Sequence, residues 1–306
     1  MTDGVMHKDN RYYICVEIGG TNTRTALIDK NCTVQKFDKV STILLAEAKD
    51  KVAYFKSLID PYVDMVGKEN VIAISMTLTS LLDPKRRYVY CTPMIEGMSN
   101  LALADELQNL CNIPVVLEQD VNTLMLYELH KITEDCSGIT AGFFLGTGLG
   151  NALAIDGKVY IGHSGSSGEL GHMTVPGIQE ICGCGKKGCW EFKASGLRLE
   201  AIANELNCNI KKIFVTHLQS PEVQELILYF AYAISYELAI LDPTFAILSG
   251  GILSMEGFPT EELIKLIKEN LRFPNPRESL KIFIGTMDDE AGVVGAALNA
   301  KSKGFM

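Results

Sequence analysis

The sequence of 306 residues lacks the features that mark membrane and secreted proteins. Its most apolar late segment, residues 230–248, is interrupted by Glu237 and Asp242, so we expect no membrane span. The first ten residues contain no apolar run like that of a signal peptide, which predicts a cytoplasmic protein. In that reducing compartment the nine cysteines are expected to be free or metal-bound rather than paired in disulfides.

The sequence also lacks an excess of positive charge and a P-loop. Its 28 Lys and Arg against 37 Asp and Glu give a formal net charge of −9. This balance argues against a nucleic-acid partner, because such proteins present a basic surface to the phosphates. The pattern G-x-x-x-x-G-K-[ST] is absent, so a nucleotide would have to be held by other backbone turns. No low-complexity segment is present, and the length favours two domains.

What the chain does contain is a cluster of one histidine and three cysteines. His172 is followed ten residues later by Cys182, Cys184 and Cys189, with Gly and Lys between the cysteines. Buried thiols in an apolar core are the alternative, but the Gly and Lys spacers do not resemble a core element. Structural zinc prefers four such ligands in a closed tetrahedron, and glycines allow a tight knuckle around it. We therefore predict Zn²⁺ bound by His172, Cys182, Cys184 and Cys189.

Three apolar strands run into turns rich in glycine. The first two turns lie in similar hairpins, residues 12–28 and 140–158, spaced as if by duplication. Such turns expose backbone N–H groups that can converge on phosphate oxygens. One turn is weak support, because glycine hairpins are common, but three together favour phosphate binding. The predicted residues are Gly19, Gly20, Thr21 and Asn22 in the first, Gly146, Thr147, Gly148 and Gly150 in the second, and Gly250 and Gly251 in the third.

Strands alternate with helices along the rest of the chain. Apolar periodicity predicts helices over residues 44–66, 101–110, 121–131, 222–240, 257–271 and 291–300, and strands over residues 71–76, 113–118, 245–248 and 281–284. This alternation predicts an α/β fold of two sheet-containing lobes.

Asp120 stands where a predicted strand meets a predicted helix, a place where polar side chains reach into ligand sites. Phosphoryl transfer needs a base for the acceptor's proton, and Asp120 is our candidate. A helix N-cap is the alternative role, although the neighbouring polar residues Glu118, Gln119 and Asn122 are more than a cap requires. Glu17, just before the first glycine turn, is the predicted outer-shell partner of Mg²⁺, with a solvated strand residue as the alternative.

A sugar acceptor would need fixed groups that both accept and donate hydrogen bonds. Carboxylates, amides and imidazole meet this need, and a zinc knuckle would fix the two glutamates that flank it in sequence. The candidate residues for the acceptor are Gln119, Asp120, Glu169, His172 and Glu191.

At these motifs, between about residues 12 and 300, the sequence closely resembles the ROK family of sugar kinases. The resemblance rests on the first two glycine turns, on residues 118–122, on residues 162–172, on the cysteine cluster with Trp190 and Glu191, and on Gly250-Gly251 and Ala291-Gly292. It implies a two-lobed actin-like ATPase fold, related to ribonuclease H, with a zinc knuckle in the C-terminal lobe. The implied lobes are residues 1–121 and 122–306, with the last helix, about residues 290–306, packing back on the first lobe. The implied reaction phosphorylates a hexose with ATP, with Asp120 as base.

Departures from the family pattern lie on the acceptor side. The family usually has Asp at Glu17, Asn at Gln119 and Ala at Ser167, and some members have Asn after Pro93, where Met94 stands. In related kinases the Asn before the base helps to read the 3-hydroxyl of the sugar. The longer Gln119 therefore suggests another configuration at that carbon, and these segments look most like those of bacterial D-allose kinases. Allose is the C3 epimer of glucose, and we expect it as the substrate.

Other functions remain open at this stage. A glucokinase or an N-acetylmannosamine kinase of the same family would differ only in the acceptor. A family repressor would need an N-terminal helix-turn-helix, for which the eleven residues before Tyr12 are too few. A sugar sensor without catalysis is less favoured because Asp120 and the glycine turns are present. The resemblance also implies a homodimer, with sugar and ATP as the small-molecule partners and no membrane or nucleic acid.

Overall fold

The structure is a computed structural model that describes residues 11–92, 95–286 and 288–306. Pro93 and Met94, at which the sequence was compared with the family pattern, lie outside the described residues. The chain forms two compact units. Of the described residues, unit 1 contains 11–92, 95–127, 162–166 and 288–306, while unit 2 contains 128–161 and 167–286.

Unit 1 is built on a five-stranded sheet in the order β3-β2-β1-β4-β7. An antiparallel meander of β1, β2 and β3 is extended by β4 and β7, which run parallel to β1. The strands are β1 (Tyr12–Ile18), β2 (Asn22–Asp29), β3 (Val34–Ser41), β4 (Val71–Leu78) and β7 (Val115–Gln119). A two-stranded ribbon adds β5 (Leu81–Leu82) and β6 (Val89–Cys91). The predicted first hairpin is thus confirmed.

Both faces of this sheet are covered, because successive side chains of a strand point to opposite faces. Ile14 and Val16 of β1 lie in one apolar cluster with α2 and α3, and Tyr13 and Cys15 lie in another with α9. The helices that begin in unit 1 are α1 (Ile43–Glu47), α2 (Lys51–Val66), α3 (Leu103–Cys111), α4 (Asp120–Lys131) and α9 (Ala291–Ser302).

The single helix predicted over residues 44–66 is wrong, because the structure divides it into α1 and α2. Ala48 is extended, and the Asp50 side chain accepts a hydrogen bond from Ala53 N as the N-cap of a new helix. The buried Lys51 Nζ donates to the carbonyls of Leu45, Ala46 and Ala48, so it satisfies the end of α1. Apolar periodicity runs through this break, and only the cap residues mark it.

Unit 2 repeats the same sheet plan. Its order, β10-β9-β8-β11-β12, again joins an antiparallel meander to two parallel strands. The matching plan agrees with the duplicated spacing of the glycine turns in the sequence. The strands are β8 (Ile139–Leu145), β9 (Leu149–Ile155), β10 (Lys158–Tyr160), β11 (Phe245–Ser249) and β12 (Lys281–Ile284), and the helices are α5 (Gly196–Glu205), α6 (Ile213–Thr216), α7 (Pro221–Leu241) and α8 (Thr260–Glu269).

The core of unit 2 forms around α7. This helix is long and apolar enough to cross a membrane by length and composition, but half of its most apolar window is buried inside the protein. Phe230, Ile234 and Leu238 are fully buried in the same cluster as Phe143 of β8 and Leu263 of α8. The apolar composition of α7 is therefore that of a core helix.

Candidate active site

Asp120 lies at the carboxyl edge of the unit 1 sheet. It is the first residue of α4 and directly follows β7, so the parallel strands β1, β4 and β7 all end nearby. Thr79, which follows β4, donates from Oγ1 to Asp120 Oδ2 at 2.8 Å. Asp120 Oδ1 accepts from Val121 N, the N–H of the next residue, at 2.9 Å. Asp120 is itself the first helical residue, so this bond is not that of an N-cap, which accepts from an N–H two or three positions further on. The carboxylate is thus held in one orientation.

Glu17 is the second carboxylate at this edge. Its Oε2 lies 3.3 Å from Arg24 Nη1, and the side chain is only 17% exposed. Burial raises the pKa of Glu17 to about 7; Arg24 opposes the rise, and the charges of Asp120 and Asp289 add to it. A Cβ on Gly292 would lie 2.3 Å from the Glu17 carboxyl carbon, so a side chain there would displace the carboxylate from Arg24.

Glu17 and Asp120 offer oxygen atoms of the kind that a divalent cation takes as partners. Mg²⁺ prefers carboxylate oxygens and retained water, and a cation beside Glu17 and Asp120 would favour the ionised form of both. Glu17 could therefore serve the ion, with Arg24 holding the carboxylate in place.

The first glycine turn lies beside Glu17. Gly19 N donates to Asn22 O at 3.0 Å and so closes the turn, and Thr42 Oγ1 donates to Gly19 O at 2.8 Å. Gly20 and Thr21 are exposed at its tip. A closed turn with an exposed tip can present its backbone N–H groups to phosphate oxygens.

The second glycine turn, residues 146–148, is held by the start of α5. Gly196 N donates to Gly146 O at 2.9 Å, and Leu197 N donates to Thr147 O at 3.0 Å. A Cβ on Gly196 would lie 2.5 Å from Gly146 O, so the close approach depends on glycine. The sequence analysis did not predict α5, although Ser195, whose side chain accepts from Arg198 N, is an ordinary N-cap signal.

The third turn also belongs to unit 2. Gly250 has φ of +118°, and a Cβ there would lie 2.4 Å from Leu145 O, at the end of β8. Gly251 is exposed, and Gly150 lies within β9. The structure therefore places the second and third turns at neighbouring strand ends, since β8 and β11 are paired.

Three of the predicted acceptor residues lie together in unit 2. Glu169 Oε2 is 3.8 Å from His172 Nε2, and Glu191 Oε2 is 3.9 Å from His172 Nδ1. Glu191 Oε1 also accepts from Leu149 N at 3.1 Å, next to the second glycine turn. A Cβ on Gly148 would lie 2.2 Å from that carboxylate oxygen. The other two predicted residues, Gln119 and Asp120, are consecutive in unit 1.

The predicted metal ligands converge in unit 2. The ligand atoms of His172, Cys182, Cys184 and Cys189 all lie within 4.8 Å of one another. His172 Nδ1 is 3.6 Å from Cys182 Sγ, and the Sγ atoms of Cys184 and Cys189 are 3.5 Å apart. Zinc–nitrogen and zinc–sulfur bonds imply corner separations of roughly 3.5–3.8 Å in a tetrahedron, so the donor set fits zinc.

Cys189 is protonated at neutral pH unless a cation binds. Burial, with the neighbouring thiols adding to it, raises the pKa of Cys189 to about 12. Metal binding requires thiolates, and the positive charge of the ion is what stabilises them.

Two side chains at the unit 1 edge were missed by the sequence analysis. Thr79 could have been found, since it follows a predicted strand that ends at the same edge as Asp120. Arg86 could not, because residues 83–88 resemble an exposed polar turn, yet the Arg86 side chain is 4% exposed. Its guanidinium lies beside Glu118 and Gln119.

Comparison with known proteins identifies the family. A model of the ROK family matches residues 13–303. The chain belongs to the ROK family. The resemblance predicted from the motifs is confirmed by this match.

Relatives in the family match over nearly the whole chain. A glucokinase of Halalkalibacterium halodurans is 26% identical, with 96% of each chain covered. An N-acetylmannosamine kinase of Salmonella typhi is 24% identical, covering 94% of this chain and 98% of its own. A ROK family glucokinase from Streptomyces griseus, solved in complex with glucose and AMPPNP, superposes with a TM-score of 0.79 at 24% identity, over 95% of this chain and 99% of its own. This last likeness shows a shared fold.

Proposed function

We propose that this ROK-family sugar kinase transfers the γ-phosphoryl group of ATP to the 6-hydroxyl of a hexose, D-allose in particular. The observation that carries the proposal is the Asp120 carboxylate, fixed by Thr79 at the sheet edge and preceded by Gln119. Family relatives named as kinases, matched over nearly their full length, support an enzyme rather than a repressor.

In the proposed reaction, Asp120 accepts the proton of the 6-hydroxyl as that oxygen attacks the γ-phosphorus. The new O–P bond forms while the bond to the β,γ-bridging oxygen breaks, and ADP leaves with the charge. The glycine turns orient the phosphates through backbone N–H groups, and Mg²⁺, when bound near Glu17, neutralises charge on them. Gln119, Glu169, His172 and Glu191 hold the sugar hydroxyls.

Zinc has a structural part in this proposal. Bound by His172 and the three cysteines, it would fix the backbone between Glu169 and Glu191. His172 faces the thiols and Glu191 with Nδ1 and Glu169 with Nε2, so it could serve both metal and sugar.

The identity of the sugar rests on Gln119. This residue is 7% exposed and ends β7, and its side chain is longer than the Asn usual in the family. A site built to hydrogen-bond one hydroxyl discriminates strongly against a sugar that misplaces it. The second candidate is phosphorylation of glucose or N-acetylmannosamine, which the names of the relatives favour.

The test is ATP-dependent ADP release with D-allose, D-glucose, N-acetylmannosamine and D-fructose. We expect the highest kcat/KM for D-allose. A preference for another hexose would keep the kinase and remove the C3 argument, and no turnover with any sugar would favour a sensor. Homodimer formation, absence of nucleic-acid binding and cytoplasmic location stay predictions of the sequence.

A further inference from the structure

Arg86 is buried although its sequence context is that of a surface turn. The Asp83 side chain builds the turn by accepting from the backbone N–H groups of Lys85, Arg87 and Tyr88. Arg86 N donates to Asp83 O at 2.9 Å, and Arg86 adopts φ of +56°, a conformation that non-glycine residues seldom take. The result is a guanidinium directed inward, 4% exposed. Burying a charge on a strained backbone costs free energy, which indicates that the charge has a function.

The guanidinium of Arg86 has three separate partners in unit 1. Its Nε forms an ion pair with Glu118 Oε1 at 2.9 Å without a hydrogen bond, its Nη1 donates to Gly165 O at 2.9 Å, and its Nη2 donates a long hydrogen bond of 3.5 Å to Gln119 Oε1. A planar guanidinium can address three acceptors at once in a fixed geometry, which an ammonium cannot do.

Neutralising Glu118 does not account for Arg86. Glu118 has a second cation, because Lys303 Nζ lies 3.1 Å from its Oε2. The carboxylate also accepts from Asn122 Nδ2 at 3.0 Å. A buried carboxylate needs a partner charge, and Lys303 supplies one without Arg86. Lys303 therefore duplicates the contact of Arg86 with Glu118 but not its contacts with Gln119 and Gly165.

The contact with Gln119 fixes which way its amide faces. Arginine has donors and no acceptor, so the amide atom beside Nη2 must be the oxygen. The Nε2 hydrogens of Gln119 are therefore directed elsewhere, as donors for a ligand. The same guanidinium supports residues 162–166: a Cβ on Gly165 would lie 2.9 Å from Nη1, and Gly165 already has φ of +81°. Glu169 follows that segment in the sequence.

We propose that Arg86 is a positioning residue for substrate selection, which orients the Gln119 amide as a donor to the hydroxyl at C3 of the hexose. This inference rests on the proposed function and deepens it. Arg86 touches no substrate atom, and its effect is exerted through Gln119.

The test compares R86M and R86K with R87M as the matched control. Arg87 is the neighbouring arginine, and it contacts Asp105, Gln108 and the carbonyl of Val115. For each variant kcat and KM are measured for D-allose, D-glucose and ATP, together with the free energy of unfolding. In R86M we expect KM for the preferred hexose to rise at least about tenfold and the ratio of kcat/KM between the two C3 epimers to fall about tenfold. KM for ATP should change less than about twofold, and R86K should not restore the ratio.

A double-mutant cycle with Q119N separates positioning from simple stability. In the parent enzyme Q119N should shift the epimer ratio, whereas in the R86M background it should shift the ratio little, because the amide is no longer oriented. Additive effects, or an R86M ratio no different from that of R87M, would overturn the inference. Failure of both Arg86 variants to fold would show a purely structural residue and would also overturn it. Absence of hexose turnover in the parent enzyme would instead remove the proposed function, so the two failures are distinguishable.

Discussion

At the edge of the unit 1 sheet, the surroundings of two carboxylates set the orientation of one and the pKa of the other. Asp120 receives hydrogen bonds from Thr79 and Val121, while Glu17 is buried beside one arginine and near two other acids. Environment thus gives two carboxylates different properties, one held by two donors and one with a raised pKa, which suits the proposed roles of base and of cation partner.

The variant D120N keeps the shape of the side chain but removes its charge, so it tests the proposal that Asp120 is the base. In D120N we expect kcat to fall by about 10²–10⁴, the usual contribution of a general base, while sugar binding persists. Steady-state kinetics and calorimetric titration with sugar measure the two effects. T79V should reproduce part of the loss, because it removes only the orienting hydrogen bond. Turnover of D120N close to that of the parent would exclude Asp120 as the base.

Glu17 predicts a pH dependence of stability. Its pKa rises on folding from 4.5 to about 7, so the folded protein binds this proton more tightly than the unfolded chain does. The free energy of unfolding should therefore fall as pH rises from about 4.5 through 7, by about 3 kcal/mol for this one group. Urea unfolding of the parent and of E17Q across this range measures it, since glutamine does not titrate.

Glu237 in α7 provides the comparison for that measurement. Burial raises its pKa to about 7 as well, opposed by the hydrogen bond that Asn151 donates. E237Q should remove a similar pH-dependent fall in the free energy of unfolding, which arises from this group in unit 2. Saturating Mg²⁺ with ADP should reduce the contribution of Glu17 and leave that of Glu237 unchanged, if the ion binds near Glu17. An identical pH profile in E17Q and the parent would contradict the raised pKa.

At the scale of elements, the cysteine cluster lies in a loop of turns and isolated bridges. Residues 173–189 contain no regular helix or strand longer than a bridge, and Gly185 and Gly188 have positive φ. Backbone hydrogen bonds such as that from Cys182 N to Lys186 O shape the loop, and a bound ion would add a fixed point between its ligands. The close approach of Glu191 to Leu149 N and His172 links this loop to the second glycine turn.

Loss of one thiolate should release the metal. We expect C184S to lower the zinc content from about one ion per chain to well below half, to lower thermal stability, and to raise KM for the sugar through Glu169 and Glu191. Elemental analysis and thermal unfolding measure the first two effects. C208S is the matched control, because Cys208 lies outside the cluster. A parent protein purified without a chelator that holds no zinc would contradict the knuckle.

Across the whole molecule, two sheets with one plan carry the first two glycine turns at matching strand ends, between β1 and β2 and between β8 and β9. The contacts assign α9 to unit 1, where Ser75 Oγ donates to Ala296 O at 2.6 Å and glycines 292 and 295 allow close packing. Residues 122–127 and 162–166 also belong to unit 1 by their contacts. The single boundary predicted between residues 121 and 122 places them in the second lobe instead. Contacts that distant in sequence leave no periodic pattern.

The sequence by itself determined the α/β class, both hairpins, the strands that end in glycine turns and the family, and it singled out the His and Cys cluster that the structure brings together. These depend on local patterns, namely alternation, glycine spacing and ligand spacing, that are read without knowing the fold. Tertiary structure alone decided the break between α1 and α2, the support of the second turn by α5, and the burial of Arg86 against Gln119. The break depends on Lys51, which buries its ammonium against the end of α1. The other two depend on groups brought together across long sequence separations, where burial and hydrogen bonding outweigh local preference.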